Sequence, residues 1–274
     1  MTAASVAAGR RPRLLPLPGT VGRRSLHVVE RNALAYRRLW WIFVAGLAEP
    51  FLFLFSIGVG VGELVGQLPG PGGELVPYDS FVAPGLMAVA AMNGAIFDTT
   101  FNFFFKFKYA KTFDAMLATP LGVNDVAAGE AAWALLRGGL NATTFLLAMV
   151  ALDLVESGWA VLTIPAAVLI GFAFAGAGLG LTTYMRSFVD FDYVNLAIVP
   201  LFLFSATFYP LDRYPDGLAW LVRCTPLYQG VALERALVFG DLRWSLLVHV
   251  VYLLVMGAVG VRVAGTRLRK LLQP

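Results

Sequence analysis

The sequence predicts an all-α integral membrane protein: six transmembrane helices, an N-terminal interfacial helix, a short amphipathic helix on the cytoplasmic surface, and an outer re-entrant helical hairpin before the last span. Three observations predict it. Of 274 residues, 58% are hydrophobic and only 14% charged, against about 25% charged in soluble domains. Six runs each reach the roughly 20 mostly apolar residues that a membrane helix needs. Lysine and arginine fall on alternate loops, as the positive-inside rule requires.

Residues 1–25 carry Arg10, Arg11, Arg13, Arg23 and Arg24 among proline and glycine. They lack the continuous apolar core of a signal peptide and read as a disordered cytoplasmic tail. Residues 26–274 then form the transmembrane domain. Leu26, Val29, Ala33, Tyr36 and Trp40 recur at steps of three and four, with His27, Glu30, Arg31, Arg37 and Arg38 largely on the other side. That pattern predicts an interfacial helix lying on anionic headgroups; the alternative is a cytosolic extension of the first span.

The spans fall at about 39–62, 81–105, 127–152, 159–185, 193–211 and 244–261. Eight arginines precede the first, Lys106, Lys108 and Lys111 follow the second, Arg186 follows the fourth, and Arg262, Arg267, Arg269 and Lys270 close the chain. The opposite loops carry Glu63, Glu74, Asp79, Asp153 and Glu156 without lysine or arginine, and only 212–243 mixes signs. Both termini are therefore expected in the cytoplasm, in a cell (inner or plasma) membrane. The net charge of +4 belongs to a membrane surface rather than to nucleic acid.

Charges inside the spans are costly, about 3 kcal/mol each when unpaired. Glu49 and Arg137 lie at equal depth, about 14 Å from the cytoplasmic ends of their spans, which suggests an ion pair. Asp98 is a shallower competitor for Arg137, and a substrate-contacting role or protonated, unpaired carboxylates are the alternatives. Pro50 removes the hydrogen bond to the Gly46 carbonyl and marks a flex point beside Glu49. "GAGLGL" (176–181) lies inside the fourth span with no preceding strand, so Gly176 and Gly180 read as a small-residue packing face rather than a dinucleotide loop; Gly58 and Gly62 repeat the spacing. Asn141-Ala-Thr143 is an intramembrane glycosylation triplet and out of reach. His249 reads as a polar packing residue, one His offering no metal site, and the lone Cys224 excludes an intrachain disulfide.

Between the second and third spans, Tyr109, Phe113, Met116 and Leu117 share one helical face with Lys108, Lys111 and Asp114 opposite. Pro120 and Gly122 end that helix, and Asn124 or Asp125 can cap the next. Such a helix either rests on lipid or inserts its aromatic knobs into a groove of a soluble partner.

"YDSFVAPGLMAVAAMNGAIFD" (78–98), "KTFDAMLATPLGVNDVAAGEAAWA" (111–134) and "FSATFYPLDRYPDGLAWLVRCTPLYQGVALERALVFG" (204–240) resemble the type-2 ABC transporter permeases. "EPFLFLFSIGVGVG" (49–62) and "SFVDFDYVN" (187–195) are similar to the branch of nodulation-factor and daunorubicin-type exporters. The resemblance runs from about residue 35 onward. It implies a coupling helix seated on an ATPase, with Tyr109, Phe113, Asp114, Met116 and Leu117 at the contact. It also implies two ATPase copies, a second permease copy, identical or paralogous, and no cofactor on this chain, with ATP and Mg held by the ATPase. No G-x-x-x-x-G-K-[ST] phosphate loop occurs in the sequence.

The stretch 212–243 is too charged to cross a bilayer, yet Leu218, Trp220, Leu221, Leu227, Tyr228 and Val231 give it an apolar side, and Thr225-Pro226 splits it into two short helices. The resemblance implies an exit-side gate there, with Tyr209, Pro210, Trp220, Pro226 and Tyr228 as candidates; a plain connector is the alternative. Along the path, candidates are Glu49, Phe97, Asp98, Phe101, Phe104 and Arg137, with Phe103 and Phe105 in the same aromatic stripe, although lipid-facing packing is the commoner role of such a stripe. The expected function is a permease subunit exporting an amphipathic substrate and not itself an enzyme. Two other classes compete: a membrane enzyme acting on lipid head groups, for which Asp190 and Asp192 are the nearest carboxylates, and an ion-coupled carrier titrating Glu49 and Asp98.

Overall fold

A computed structural model describes residues 21–37, 51–109, 112, 116, 118–119 and 121–272. The helices are α1 (Val21–Arg37), α2 (Phe51–Val65), α3 (Tyr78–Phe97), α4 (Val123–Ala151), α5 (Thr163–Thr182), α6 (Asp190–Leu203), α7 (Asp216–Cys224), α8 (Pro226–Phe239) and α9 (Leu246–Leu272). Four stretches are long and apolar enough to cross a membrane: Tyr78–Asn102, Ala128–Ala151, Gly158–Thr182 and Leu246–Arg267. One expected span is described only in part and another looks different. Residues 39–50 of the first lie outside the described part; α2 is described from Phe51 on and contains a π-helical turn over Gly58–Gly62. The expected fifth span, 193–211, is helical only to Leu203. Fourteen residues at 1.5 Å each give about 21 Å, short of the roughly 30 Å hydrocarbon core.

The fold also departs from an all-α chain. Gln67–Pro69 pairs antiparallel with Leu75–Pro77, Leu68 opposite Val76, closing a small hairpin between α2 and α3. Gly73 at φ +86° sits in its turn and Gly66 at φ +75° at its entry, conformations glycine adopts without Cβ strain. Three-residue strands around a Pro-Gly-Gly turn carry too little alternation to be read as strands from sequence.

Local chemistry fixes the helix ends. At the start of α4, the Asp125 carboxylate accepts the Gly122 N–H at 3.0 Å, the capping expected of Asn124 or Asp125. At α8, the Thr225 hydroxyl accepts the Tyr228 N–H at 3.4 Å, Pro226 occupies the first turn, and Gly240 terminates the helix in the left-handed region. The expected split at Thr225-Pro226 is therefore present as the α7–α8 break.

Uncharged α5 is the hub, packing against α3, α4, α8 and α9. Its crossing with α9 is backbone on backbone: a Cβ at Gly176 would stand 2.5 Å from the Gly257 carbonyl oxygen and 3.0 Å from its Cα. Gly176 thus forms the small-residue face expected, with Gly180 looser at 3.6 Å from the Gly260 oxygen. Gly58 and Gly62 make no such helix-on-helix backbone approach among the described residues, a Cβ at Gly58 coming nearest to the Asp79 carboxylate at 3.5 Å.

The N-terminal helix docks on the bundle through residues other than its expected lipid face. α1 packs on α4 through Ser25, Val28 and Asn32, where Gly129 admits Val28 so closely that a Cβ would lie 2.5 Å from the Val28 Cβ. Leu26, Ala33 and Leu34 are exposed. Of the expected lipid face, Leu26 and Ala33 are thus left outward, while an offset stripe docks the helix on the bundle.

Candidate functional site

Two helices carry polar residues at matching intervals. Asp98, Asn102 and Lys106 recur every four residues past the end of α3; Glu130 and Arg137 stand seven apart on α4. The backbone from Asp98 to Asn102, and again from Phe105 to Tyr109, is π-helical, a form common at functional sites. The side chains meet in one seam. Arg137 pairs with the Asp98 carboxylate, which also accepts from Asn102 Nδ2 at 2.8 Å. Lys106 Nζ lies 2.6 Å from Glu130 Oε2, and Asn32 of α1 donates to Glu130 Oε1 at 3.2 Å. The seam joins α1, α3 and α4 and gives both carboxylates partners where lone charges would be expensive. Asp98, named as Arg137's competitor partner, is its partner here; Glu49 lies outside the described residues.

The C-terminal end of α3 is a second junction. Phe104 is buried, its ring 5.1 Å from Phe191 and 5.7 Å from Phe188, while Phe101 stacks on Phe191 at 4.2 Å. Tyr109 packs on Phe105 and Phe188. Lys108 donates to the Arg186 carbonyl. The end of α3 is thereby tied to the α5–α6 loop and to α6. Of the expected path aromatics, Phe101 and Phe104 serve this packing, Phe103 is buried elsewhere, and Phe97 and Phe105 are exposed.

In the segment between α3 and α4, Thr112 and Met116 are helical. Tyr109 falls at the tail of the long second helix rather than within a separate short one, and it is exposed. Met116, expected on the outward contact face, is instead buried with Val28, Phe103, Val126, Leu179 and Ala264. It seats the segment in a cluster drawn from α1, α4, α5, α9 and the stretch after α3. Phe113, Asp114 and Leu117 lie outside the described residues.

On the opposite side, the chain leaves α6 and runs without regular structure from Phe204 to Pro210. Irregular backbone at membrane depth must find partners within the protein, and Arg235 of α8 supplies them. Its guanidinium donates to the Ala206 carbonyl at 2.9 Å, to Thr207 at 3.3 Å and to Phe81 at 3.3 Å, and lies 3.8 Å over the Phe81 ring. Thr207 rests on Gly85, one residue past Pro84. α8 itself is deeply buried, and Glu234 on it is fully enclosed with both oxygens unpartnered. Gln229 holds the Arg223 carbonyl at 2.5 Å and meets His249 of α9; Tyr252 donates to the Cys224 carbonyl at 2.8 Å. His249 is thus a packing tie.

The expected gate residues are spread around this element. Pro210 is buried, Tyr209 stacks on Tyr214 at 4.7 Å, Tyr228 packs on Ala206, Tyr214 and Val222, Pro226 opens α8, and Trp220 is exposed. Sequence reading missed Arg235, Lys106, Glu130, Asn32 and Asn102 as site residues. The seam had a signal, opposite charges at helical intervals on neighbouring spans; Arg235 had none, since its partners are main-chain carbonyls. Among the described residues no three His, Cys, Asp or Glu gather as a metal site.

A bundle of apolar helices around an uncharged hub, an intramembrane charge seam and a buried helical hairpin braced by an arginine define a membrane transport subunit. The chain belongs to the ABC-2 type transporter family, whose model matches residues 25–239. It is similar to nodulation protein J of Rhizobium leguminosarum bv. viciae, 31% identical over 253 residues covering 91% of this chain and 95% of that protein. It is also 31% identical to nodulation protein J of Rhizobium meliloti (strain 1021), covering 81% and 82% of the two chains. The Azorhizobium caulinodans protein of the same name is 28% identical, covering 77% and 82%.

Proposed function

We propose that this chain is the permease of an ABC exporter that moves an amphipathic substrate (a drug-like molecule, a glycolipid or a lipid-linked saccharide) out of the cytoplasm or inner leaflet. Membership of the ABC-2 type transporter family carries the reading. The proposal has the chain crossing the membrane six times with both termini cytoplasmic, beside a second permease, identical or paralogous. Two copies of a separate ATPase bind ATP and Mg and drive it.

The mechanical route follows from the two junctions. The ATPase engages the segment around Tyr109, Phe113, Asp114 and Leu117. Met116 anchors that segment in a cluster drawn from α1, α4, α5, α9 and the stretch after α3, so a push there displaces them together. The Lys106–Glu130 and Asp98–Arg137 pairs carry the displacement along α3 and α4. α3 then moves Phe81 and Gly85 against Arg235 and the 204–210 segment, the exit-side gate. Each nucleotide state biases one arrangement.

The test is co-purification with a P-loop ATPase sought in the neighbouring reading frames, followed by ATP hydrolysis and transport of a labelled candidate in proteoliposomes. Substrate-stimulated hydrolysis that requires this chain supports the reading. Vectorial transport that persists without any ATPase sinks it.

A further inference from the structure

Two apolar grooves flank one ridge on the outside of the bundle. The first, about 550 Å³, is bounded by Thr100 of α3, Phe174 of α5, and Ala197 and Leu201 of α6. The second, about 730 Å³, runs between α5 and α9 along Gly180, Val255, Val259 and Val263. They share Ala177, Leu181, Tyr184 and Met256, so Leu181 and Tyr184 form the divide, both exposed.

Cations gather where the grooves converge. Arg186 lines the first groove. Arg267 lies 3.6 Å over the Tyr184 ring, its Nε without a hydrogen-bond partner. Lys108 reaches the Arg186 carbonyl. Asp190, the carboxylate at this mouth, accepts the Arg186 and Ser187 backbone N–H groups at 2.6 and 3.0 Å, bonds to main chain rather than to a guanidinium.

We propose that this is a binding site for a two-chain anionic phospholipid of the bilayer, one acyl chain in each groove, the ridge between them, and the phosphate on Arg186 and Arg267. Two grooves sharing one ridge, with Arg186 lining the first and Arg267 stacked on the ridge's Tyr184, fit two chains joined at one phosphate. Arginine binds phosphate by charge and by its fork of donors. The site rests on the chain being an integral membrane protein and is independent of which cargo is exported.

Native mass spectrometry of the full chain, released from micelles doped equally with phosphatidylglycerol and phosphatidylcholine, tests it. The wild type should retain one phosphatidylglycerol in preference. Arg186→Gln with Arg267→Gln should lower that retention roughly tenfold, while the Arg→Lys pair, which keeps the charge and controls for folding, keeps most of it. Ala197→Phe fills the first groove and should shift preference toward single-chain lysophosphatidylglycerol. Equal retention of the two lipids, or retention unchanged in the glutamine pair, overturns the proposal. So does efficient crosslinking of Leu181→Cys between permease copies in native membranes, which would make the ridge a protein interface.

Discussion

Arg137 shows how much one intramembrane charge determines. Paired with Asp98 it holds α3 to α4; without it Asp98 keeps the hydrogen bond from Asn102 but loses its guanidinium. Arg137→Met should therefore destabilise the chain by about 3 kcal/mol, read as lower expression and a lower melting temperature in detergent. Asp98→Leu in the same chain should recover most of the loss, because two apolar side chains replace a charge pair without stranding either charge. The charge swap Glu49→Arg with Arg137→Glu, compared with Asp98→Arg and Arg137→Asp, separates the two carboxylates: restored expression identifies the partner that matters. Glycines make a second residue-scale case. Gly176→Val should separate α5 from α9 and cost at least 1–3 kcal/mol, since its Cβ would strike the Gly257 main chain, which cannot yield as a side chain tip does. Gly176 was legible because small residues four apart in an apolar run have few other uses. Arg137's partner was legible only as a choice, because hydropathy reports depth to within a turn, and a π-helical turn at Asp98 rotates the side chains after it.

Among the elements, the outer hairpin is the most dependent on a single side chain. Arg235→Met leaves the carbonyls of Ala206, Thr207 and Phe81 without their donor and should cost about 3 kcal/mol. Arg235→Lys should rescue only part, since one ammonium cannot span three acceptors as a planar guanidinium does. Limited proteolysis within 204–213 and melting temperature check both. The α5–α6 loop carries a pH dependence. Backbone N–H groups of Arg186 and Ser187 hold the Asp190 carboxyl below its ordinary range. A depressed carboxylate contributes stability that is present at neutral pH and fades as pH falls through its lowered pKa. Wild-type melting temperature should therefore drop between pH 5 and the acid limit more steeply than that of Asp190→Asn, and equal slopes would contradict the assignment. Periodicity located α4, α5 and the α7–α8 break because each is bounded by caps, prolines or charge. It overran α6 because the residues from 204 to 210 are as apolar as a helix, and composition cannot tell a helix from irregular chain braced by an arginine 25 or more positions away.

At the scale of the molecule, the fold class was readable from the shortage of charge alone, and five loose motifs in order pointed to the family. The seam and the hairpin brace were not readable, because each joins residues far apart in sequence whose meeting is decided by packing. The central claim is that this chain is a conduit worked from its cytoplasmic face by another protein's ATP hydrolysis. Cysteine crosslinking tests it most directly, and the single native Cys224 makes a Cys224→Ser background simple to prepare. In that background, a cysteine at Tyr109 or Phe113 should crosslink to the ATPase with a yield that changes between the ATP-bound and nucleotide-free states. The account is contradicted if neither position crosslinks to any ATPase at any stage of turnover while export continues.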